Sequence, residues 1–533
     1  MKIINLTLLL LLGSSSLFAQ DEIPLPSEVK IIKSEPYQVV DSRDKSYYAL
    51  ENGEVLSIKL KMKGGLTFIL QKFSGSNLNQ QAIKTSVLPV EKGSAYEGIK
   101  RMGDVFYVMI SKKSADNGVT LYAQELSTES LELVGTEKEL FTMQNPENMV
   151  PFGGIVVSKM TLPRFSFDLS SDGSMLVVSY RKKPKVKDDS NNNDIIGMYA
   201  FDSKMDKAWG NEYEMPYTES LMDNLDFTVD SDGNGYFLIR KYKEEVTRKN
   251  RESADNQSLA ILVANSDGSL NEVEFNLGEY LTDGVFMKEN KDGNIICAGY
   301  YRKPKSYGAD GAFITILDRK GNLSNPKFYE FSLDFIKKYK KISGKRQEKM
   351  EKADESGKLA MANLTMRNIQ VLEDGGIVLG GEIFYITSTT DPKTGRTTYT
   401  YHYEDVVLVK INGDGELGWM QKFPKRSITE SFRLFVSEKY TYALFLDPVR
   451  NASMTEDGEI TNPVRGDYVT AHRVDNKTGE RKYLPLFDLR KIDETSVYQY
   501  ALNRVIPLSD NSFAIELYIK QKSDMMFKVE FEE

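Results

Sequence analysis

Histidine, cysteine and tryptophan are nearly missing from this chain: two, one and two residues in 533. Each scarcity closes off a chemistry. With only His402 and His472, a site built from several histidine ligands cannot be assembled, and a Ser-His-Asp triad would have to use one of those two. His472, in TAHRVD, falls inside an expected strand and reads as structural. Cys297 has no partner for an internal disulfide, so stability must come from the core. In the apolar strand NIICAGYY it reads as a buried thiol, not a nucleophile. No G-x-S-x-G elbow, phosphate loop or dinucleotide fingerprint occurs. No cofactor and no bound metal is expected.

Long apolar runs are also lacking. The only one is residues 3–12, preceded by Lys2 and followed by GSSSLFAQ. It is too short to span a bilayer, and its flanks fit a secretory signal peptide cut near Ala19. No cysteine stands at that cut, which argues against a lipoprotein anchor. Residues 1–19 are therefore expected to be a leader and 20–533 one domain, periplasmic or secreted, with no transmembrane segment. The formal net charge of −8 becomes −9 once Lys2 leaves with the leader. An acidic sum favours solubility and argues against nucleic acid as a partner.

What is abundant is one repeated phrase, an Asp-Gly turn followed by an apolar strand. It reads SSDGSMLVVSYRKKPK from Ser170, DSDGNGYFLIRKYK from Asp230, NKDGNIICAGYYRKPK from Asn290 and LEDGGIVLGGEIFYI from Leu372, with a worn copy, LSDNSFAIELYIK, from Leu508. Asp, Asn and Gly fill such turns because hairpins need positive φ there. Around each turn the pattern extends to four strands. The clear sets run from RFSFDLS to GNEYEMP, LDFTVD to LNEVEFNL, DGVFMKEN to PKFYEFS and TMRNIQVL to GWMQKFP. Less regular units precede and follow them, and the least regular lies around YYALENGEVLSIKLKM. A fixed-period four-stranded meander predicts an all-β fold, a β-propeller of antiparallel blades. The count is eight blades, or seven if the first unit is irregular, with one helical insertion near 332–360. The last unit supplies three strands only, and EVKIIKSEPYQVV near the N-terminus is available as its fourth. Closing the ring that way would leave no open sheet edge.

The loops between second and third strands are long, as are some links between blades, and in a propeller these share one face. Function sits preferentially on loops held by a rigid scaffold, so that face is the candidate. Two of its loops open on similar basic runs, Arg181, Lys182, Lys183 and Lys185 in one and Arg302, Lys303 and Lys305 in the other; Arg240, Lys241 and Lys243 take the equivalent place between them. The insertion adds Lys337, Lys338, Lys340, Lys341, Lys345 and Arg346. Such a face would attract an anionic partner. The plainer reading is a set of solvated loops, because Asp188, Asp189, Glu244 and Glu245 partly neutralise it. In 386–404, TTYTYHYE alternates, placing Tyr399, Tyr401 and Tyr403 on one side of a protruding hairpin. An aromatic stripe there is either a binding ridge or packing against neighbouring loops. Asp230, Asp232 and Asn234 have calcium-loop spacing, but the distal Glu is missing and the turn already explains Asp-Gly.

The phrases SSDGSMLVVSY and DSDGNGYFLI resemble the S-x-D-G core of bacterial WD40-like propeller repeats, as in periplasmic TolB-type propellers. The leader ending SLFAQ resembles those of secreted Bacteroidota proteins. The unit spacing is longer than in those repeats and the proline common before Asp-Gly is absent. The sialidase Asp box is missing, and Trp209 and Trp419 are too few for quinoprotein propellers. The resemblance thus implies a fold and carries over no active-site residue. Two functions follow as expectations. The first is a non-catalytic scaffold, expected to be a monomer, whose long-loop face binds an envelope protein or anionic glycan. Its candidate binding residues are Tyr399, Tyr401, Tyr403, Arg181, Lys183, Arg302 and Lys305. The second is a polysaccharide hydrolase or lyase with carboxylates at the central channel, which need no sequence motif.

Overall fold

The computed structural model describes residues 25–532, except 43, 63–65, 89–93, 115–117, 148–163, 184–188, 248–249, 251–252, 305, 340–343, 426, 428–431, 448–467, 489–496, 500–503 and 520–521. The expected leader and Lys305 lie outside the described residues. Among the described residues, eight antiparallel blade sheets follow one another along the chain, beside one small two-stranded sheet. Seven are four-stranded meanders spanning 44–88, 95–144, 166–218, 222–275, 281–330, 364–423 and 432–488, here blades 1 to 7. The count is eight, not seven, because the unit around YYALENGEVLSIKLKM forms a regular sheet of Asp44–Ala49, Val55–Met62, Leu66–Phe73 and Gln80–Leu88. The fold is a β-propeller of eight antiparallel blades.

The residue pattern explains why blades stack. Second and third strands are covered on both faces by neighbouring blades, so they read as continuous apolar runs, not alternating ones. Ile295–Arg302 is buried from Ile295 to Tyr301, whereas the outermost strand of blade 4, Leu270–Phe275, is mostly exposed or half-buried. Successive residues of one strand serve different interfaces. Leu176, Val178 and Tyr180 pack on Met109, Leu121 and Phe141 of blade 2, while Val177 packs with Phe237 and Ile239 of blade 4. The repeated turn has one geometry throughout: Gly173, Gly233, Gly293 and Gly375 have φ of 70°, 86°, 75° and 75°. Each donates its N–H to the carbonyl three residues back, at 3.0–3.1 Å. An L-residue there would be strained.

Blade 8 is built from both ends of the chain. Val505–Ser509, Ser512–Ile519 and Ser523–Phe531 form its inner strands, and Val29–Lys33 is its outermost, antiparallel to Ser523–Phe531 with Val29 opposite Phe531 and Lys33 opposite Phe527. Tyr37–Gln38 extends the pairing to Asp524 and Ser523. Between blades 5 and 6 the chain forms two helices, Leu333–Lys337 and Gly344–Glu355. The first is capped by the Ser332 side chain, which accepts from Phe335 N, and it buries Ile336 in the blade 5–blade 6 core.

A buried charge cluster ties blade 8 to blade 1. Glu516 accepts from Lys59 Nζ at 2.7 Å, Tyr37 OH at 2.8 Å, Lys45 Nζ at 3.1 Å and the Tyr47 hydroxyl. Lys59 also pairs with Asp524 at 3.2 Å, and the side chains of Lys59, Glu516 and Asp524 are all 0% exposed. Burial alone would raise the Glu516 carboxyl, but the charges of Lys59 and Lys45 outweigh it and hold it below the usual range. Removing one member leaves buried charge uncompensated, which costs about 3–5 kcal/mol. Lys59→Met is therefore expected to lower unfolding stability by about that amount in a denaturant titration. A variant as stable as the parent would show that the cluster is not what holds the seam.

Candidate interaction face and central channel

In an antiparallel meander, connections after second and fourth strands emerge at one end of the blade and those after first and third at the other. Three local pairings show that the long connections meet at one face. Gly308–Ala309, between second and third strands of blade 5, pairs with Met361–Ala362 in the helical link to blade 6. Lys182 bridges Pro146 of the blade 2–blade 3 link, and Tyr403 bridges Ser427 of the blade 6–blade 7 link. The opposite face consists of the tight turns.

Among the described residues, the longest strands reaching this face belong to blade 6. Its middle strands, Ile377–Thr390 and Thr397–Ile411, outrun the rest of the sheet and project as a ribbon. A register shift between Glu382 and Phe384 marks where the ribbon leaves the blade. The base is clamped there. Buried Glu382 accepts from Lys425 Nζ at 2.6 Å and pairs with Arg367 at 2.9 Å. Phe384 and Tyr403 pack with ring centroids 4.9 Å apart, and the Arg367 guanidinium lies 5.1 Å and 5.9 Å from their centres. Cation–π contacts of this kind contribute on the order of 0.5–2 kcal/mol.

Beyond the base the two sides of the ribbon differ. On one side Tyr385 stacks on His402 at 4.5 Å, Thr387 Oγ1 meets His402 Nε2 at 2.8 Å, and the Tyr385 hydroxyl donates to Glu404 at 2.8 Å. On the other side Ile386 lies opposite Tyr401 and Ser388 opposite Tyr399. Ile386, Tyr399 and Tyr401 are 49%, 63% and 40% exposed, an apolar stripe open to solvent. The three tyrosines therefore share a side but not a depth. Tyr399 and Tyr401 are surface, whereas Tyr403 is half-buried in the base.

The basic loop starts are held in ion pairs. Arg181 meets Asp194 at 2.6 Å and Glu219 at 3.3 Å, and Lys182 meets Glu212 at 2.7 Å. Lys241 pairs with Glu272 and Glu274, and Lys303 with Glu330. Lys183 is exposed and Arg302 half-buried. Asp230, the first position of the calcium-like run, accepts from Asn234 N, Asn234 Nδ2 and the Tyr236 hydroxyl, so its oxygens serve the turn.

First strands of the blades line the channel, and here side chains converge that no sequence motif marks. Lys288 of blade 5 bonds Asp168 of blade 3, two blades away, and Asp168 also accepts from Thr228 of blade 4 at 2.7 Å. One residue on, buried Glu289 accepts from Ser171 N and Ser231 N, both at 2.8 Å, and joins the tight turns of blades 3 and 4 to blade 5. Asp226 accepts from Met287 N at 2.8 Å and Phe227 N at 3.0 Å. Burial pushes the Asp226 carboxyl up to about 7, against the Met287 hydrogen bond and the Lys288 charge. Cys297 is fully buried and its thiol is pushed up by that burial, so it is no thiolate nucleophile. Burial likewise drives His472 well below its usual range, leaving a neutral core imidazole.

Comparison with known proteins adds nothing to the fold that the sheets themselves define. No family model matches the chain, and no curated protein matches it. Among solved structures it is similar to a prolyl endopeptidase, at 9% identity and a TM-score of 0.39, over 90% of this chain and 54% of that one. This chain thus spans about half the length of that enzyme. It is similar to a polysaccharide lyase at 11% identity and a TM-score of 0.36, covering 92% and 90% of the two chains. The WD40 domain of SCAP from fission yeast aligns at 9% identity and a TM-score of 0.35, over 95% and 99%. Among the described residues no helix is long and apolar enough to cross a membrane.

The Asp226 environment sets a pH dependence with a definite sign. Its folded form keeps the proton to about pH 7, whereas the ordinary value is 3.8. The stability this group contributes is full below 3.8 and is lost as pH rises toward 7. Asp226→Asn, which cannot ionise, is expected to gain stability over the parent at pH 8 and to gain none at pH 3.5. Urea midpoints at the two pH values measure it; equal differences at both would refute the assignment.

Proposed function

We propose that this chain is a non-catalytic interaction module that acts outside the cytoplasm and captures a partner protein through the ribbon of blade 6. The observation that carries this reading is the exposed stripe of Ile386, Tyr399 and Tyr401 on a ribbon whose base is clamped by Glu382, Lys425 and Arg367. Tyrosine offers large contact area with few rotatable bonds, so a rigid tyrosine ridge binds at low entropic cost. The pairing of the basic loop starts with carboxylates counts against a general anion trap. Tyr399→Ser/Tyr401→Ser should reduce capture of an envelope protein in a pull-down at least tenfold and leave the thermal midpoint unchanged. Tyr403→Ser should lower the midpoint, because it removes packing at the base. Capture unaffected by the double change would exclude the ribbon face.

A second reading, chemistry on a polysaccharide in the channel, is favoured by one observation. Burial raises the Asp226 carboxyl to about 7, the range a general acid needs, on a channel strand next to that of Asp168, which bonds Lys288. On that reading the protein releases new chain ends from a polysaccharide, and Asp226→Asn abolishes the release. Turnover that survives the substitution removes Asp226 from any such mechanism.

A further inference from the structure

Among the described residues, the ribbon presents a backbone edge that nothing pairs beyond Ser427, as well as an aromatic face. In an antiparallel hairpin, alternate residues direct both N–H and C=O to the same edge. Tyr403 N donates to Ser427 O at 2.9 Å and Ser427 N donates to Tyr403 O at 2.8 Å, so the peptide groups of Tyr403 point away from the hairpin. By that alternation those of Tyr401, Tyr399 and Thr397 face the same outer edge. At the far end Asp391 N donates to Arg396 O, which fixes the same phase. Among the described residues nothing pairs with this edge beyond Ser427.

Proteins blunt free edges with charge, proline or bulges, because an open edge templates pairing with another chain. The strand Thr397-Thr398-Tyr399-Thr400-Tyr401-His402 has none of these devices. It is also its own complement. The outward-facing set Thr397, Tyr399 and Tyr401 is centred on Tyr399. Antiparallel pairing with the same strand of a second copy, about a two-fold axis at Tyr399, places Thr397 opposite Tyr401 and satisfies every outward donor and acceptor of the set. Moving the axis to Thr400 would place Thr397 opposite Tyr403, whose groups Ser427 already holds. The Tyr399 register also sets the two Tyr399 rings side by side, and cross-strand aromatic pairs add stability. The ribbon's other edge, with Ile386, Ser388 and Thr390, would be centred on Ser388 and has no aromatic pair.

We propose that this chain forms an isologous dimer in which strand 397–402 pairs with strand 397–402 of a second copy, joining two ribbons into one four-stranded sheet. The expectation from sequence is a monomer; the self-complementary edge argues otherwise. The dimer's hydrogen bonds are backbone ones, whereas partner capture uses the side chains of Ile386, Tyr399 and Tyr401; sedimentation reads the first and the pull-down reads the second.

The test uses the full chain in sedimentation runs over a concentration series. The parent should shift from monomer to dimer with rising concentration. Tyr401→Pro removes an outward N–H that the hairpin's own ladder does not use; it should remain monomeric with an unchanged thermal midpoint. Tyr399→Cys supplies a second readout. Cys297 is buried and is the only native cysteine, and a hydrogen-bonded pair on the axis has Cα atoms about 5.5 Å apart, within disulfide range. Mild oxidation should therefore give a covalent dimer of Tyr399→Cys and none of Lys393→Cys, an exposed thiol in the turn. A parent that stays monomeric across the series overturns the proposal. So does a Tyr401→Pro variant that dimerises as the parent does, or a Lys393→Cys variant that cross-links as well as Tyr399→Cys.

Discussion

Ring closure is the constraint on which everything else in this molecule depends. A propeller has no protected edge until its first and last strands meet, and here they meet within one blade, where Val29–Lys33 lies against Ser523–Phe531. Backbone pairing alone would not tie that blade to the next. Glu516 does so, collecting Tyr37 from the closing segment and Lys45, Tyr47 and Lys59 from blade 1. Its low carboxyl pKa is a stabilising contribution present above the ordinary 4.5 and lost as the pH falls through the folded value. Asp524 opposes it, since burial and the neighbouring Glu516 charge raise its carboxyl. The seam is therefore most secure where Glu516 is ionised. Every blade interface then follows, because each sheet is buried on both faces only when the ring is shut.

The same reasoning explains what could be read from residues alone. Asp-Gly turns announce themselves because the positive φ at Gly173, Gly233, Gly293 and Gly375 restricts the residue type. Unbroken apolar runs such as NIICAGYY announce middle strands because both faces are covered. The missing fourth strand of the last unit was legible for the same reason: a meander one strand short needs an edge partner, and an apolar segment stood near the other terminus. The helical insertion was legible as a charged stretch with neither an Asp-Gly turn nor an unbroken apolar run.

Side-chain pairing was not legible in this way. Alternation assigns Tyr399, Tyr401 and Tyr403 to one side of a ribbon, but depth depends on where the ribbon leaves the blade. That point is set by a register shift at Glu382 and by Arg367 and Lys425 on other strands. Basic loop starts looked like a patch because their carboxylate partners, such as Glu212 for Lys182 and Glu272 for Lys241, sit on separate strands. The channel cluster of Asp168, Asp226 and Lys288 is more distant still, drawn from the first strands of three blades. Only the closed ring brings those residues within bonding distance.

A two-stranded hairpin is marginal in water without a third strand or a covering element, yet this ribbon extends well past its blade. Its order is internal. The Glu382 clamp fixes one end, and the Asp391 side chain accepts from Lys393 N at 2.7 Å in the turn at the other. The Thr390–Thr397 and Thr387–His402 contacts join the strands between. None of these bonds uses the outward peptide groups of Tyr399 and Tyr401, and none covers their rings. The ribbon is thus ordered by its base, its turn and one of its sides, and among the described residues no contact beyond Ser427 draws on its outer edge.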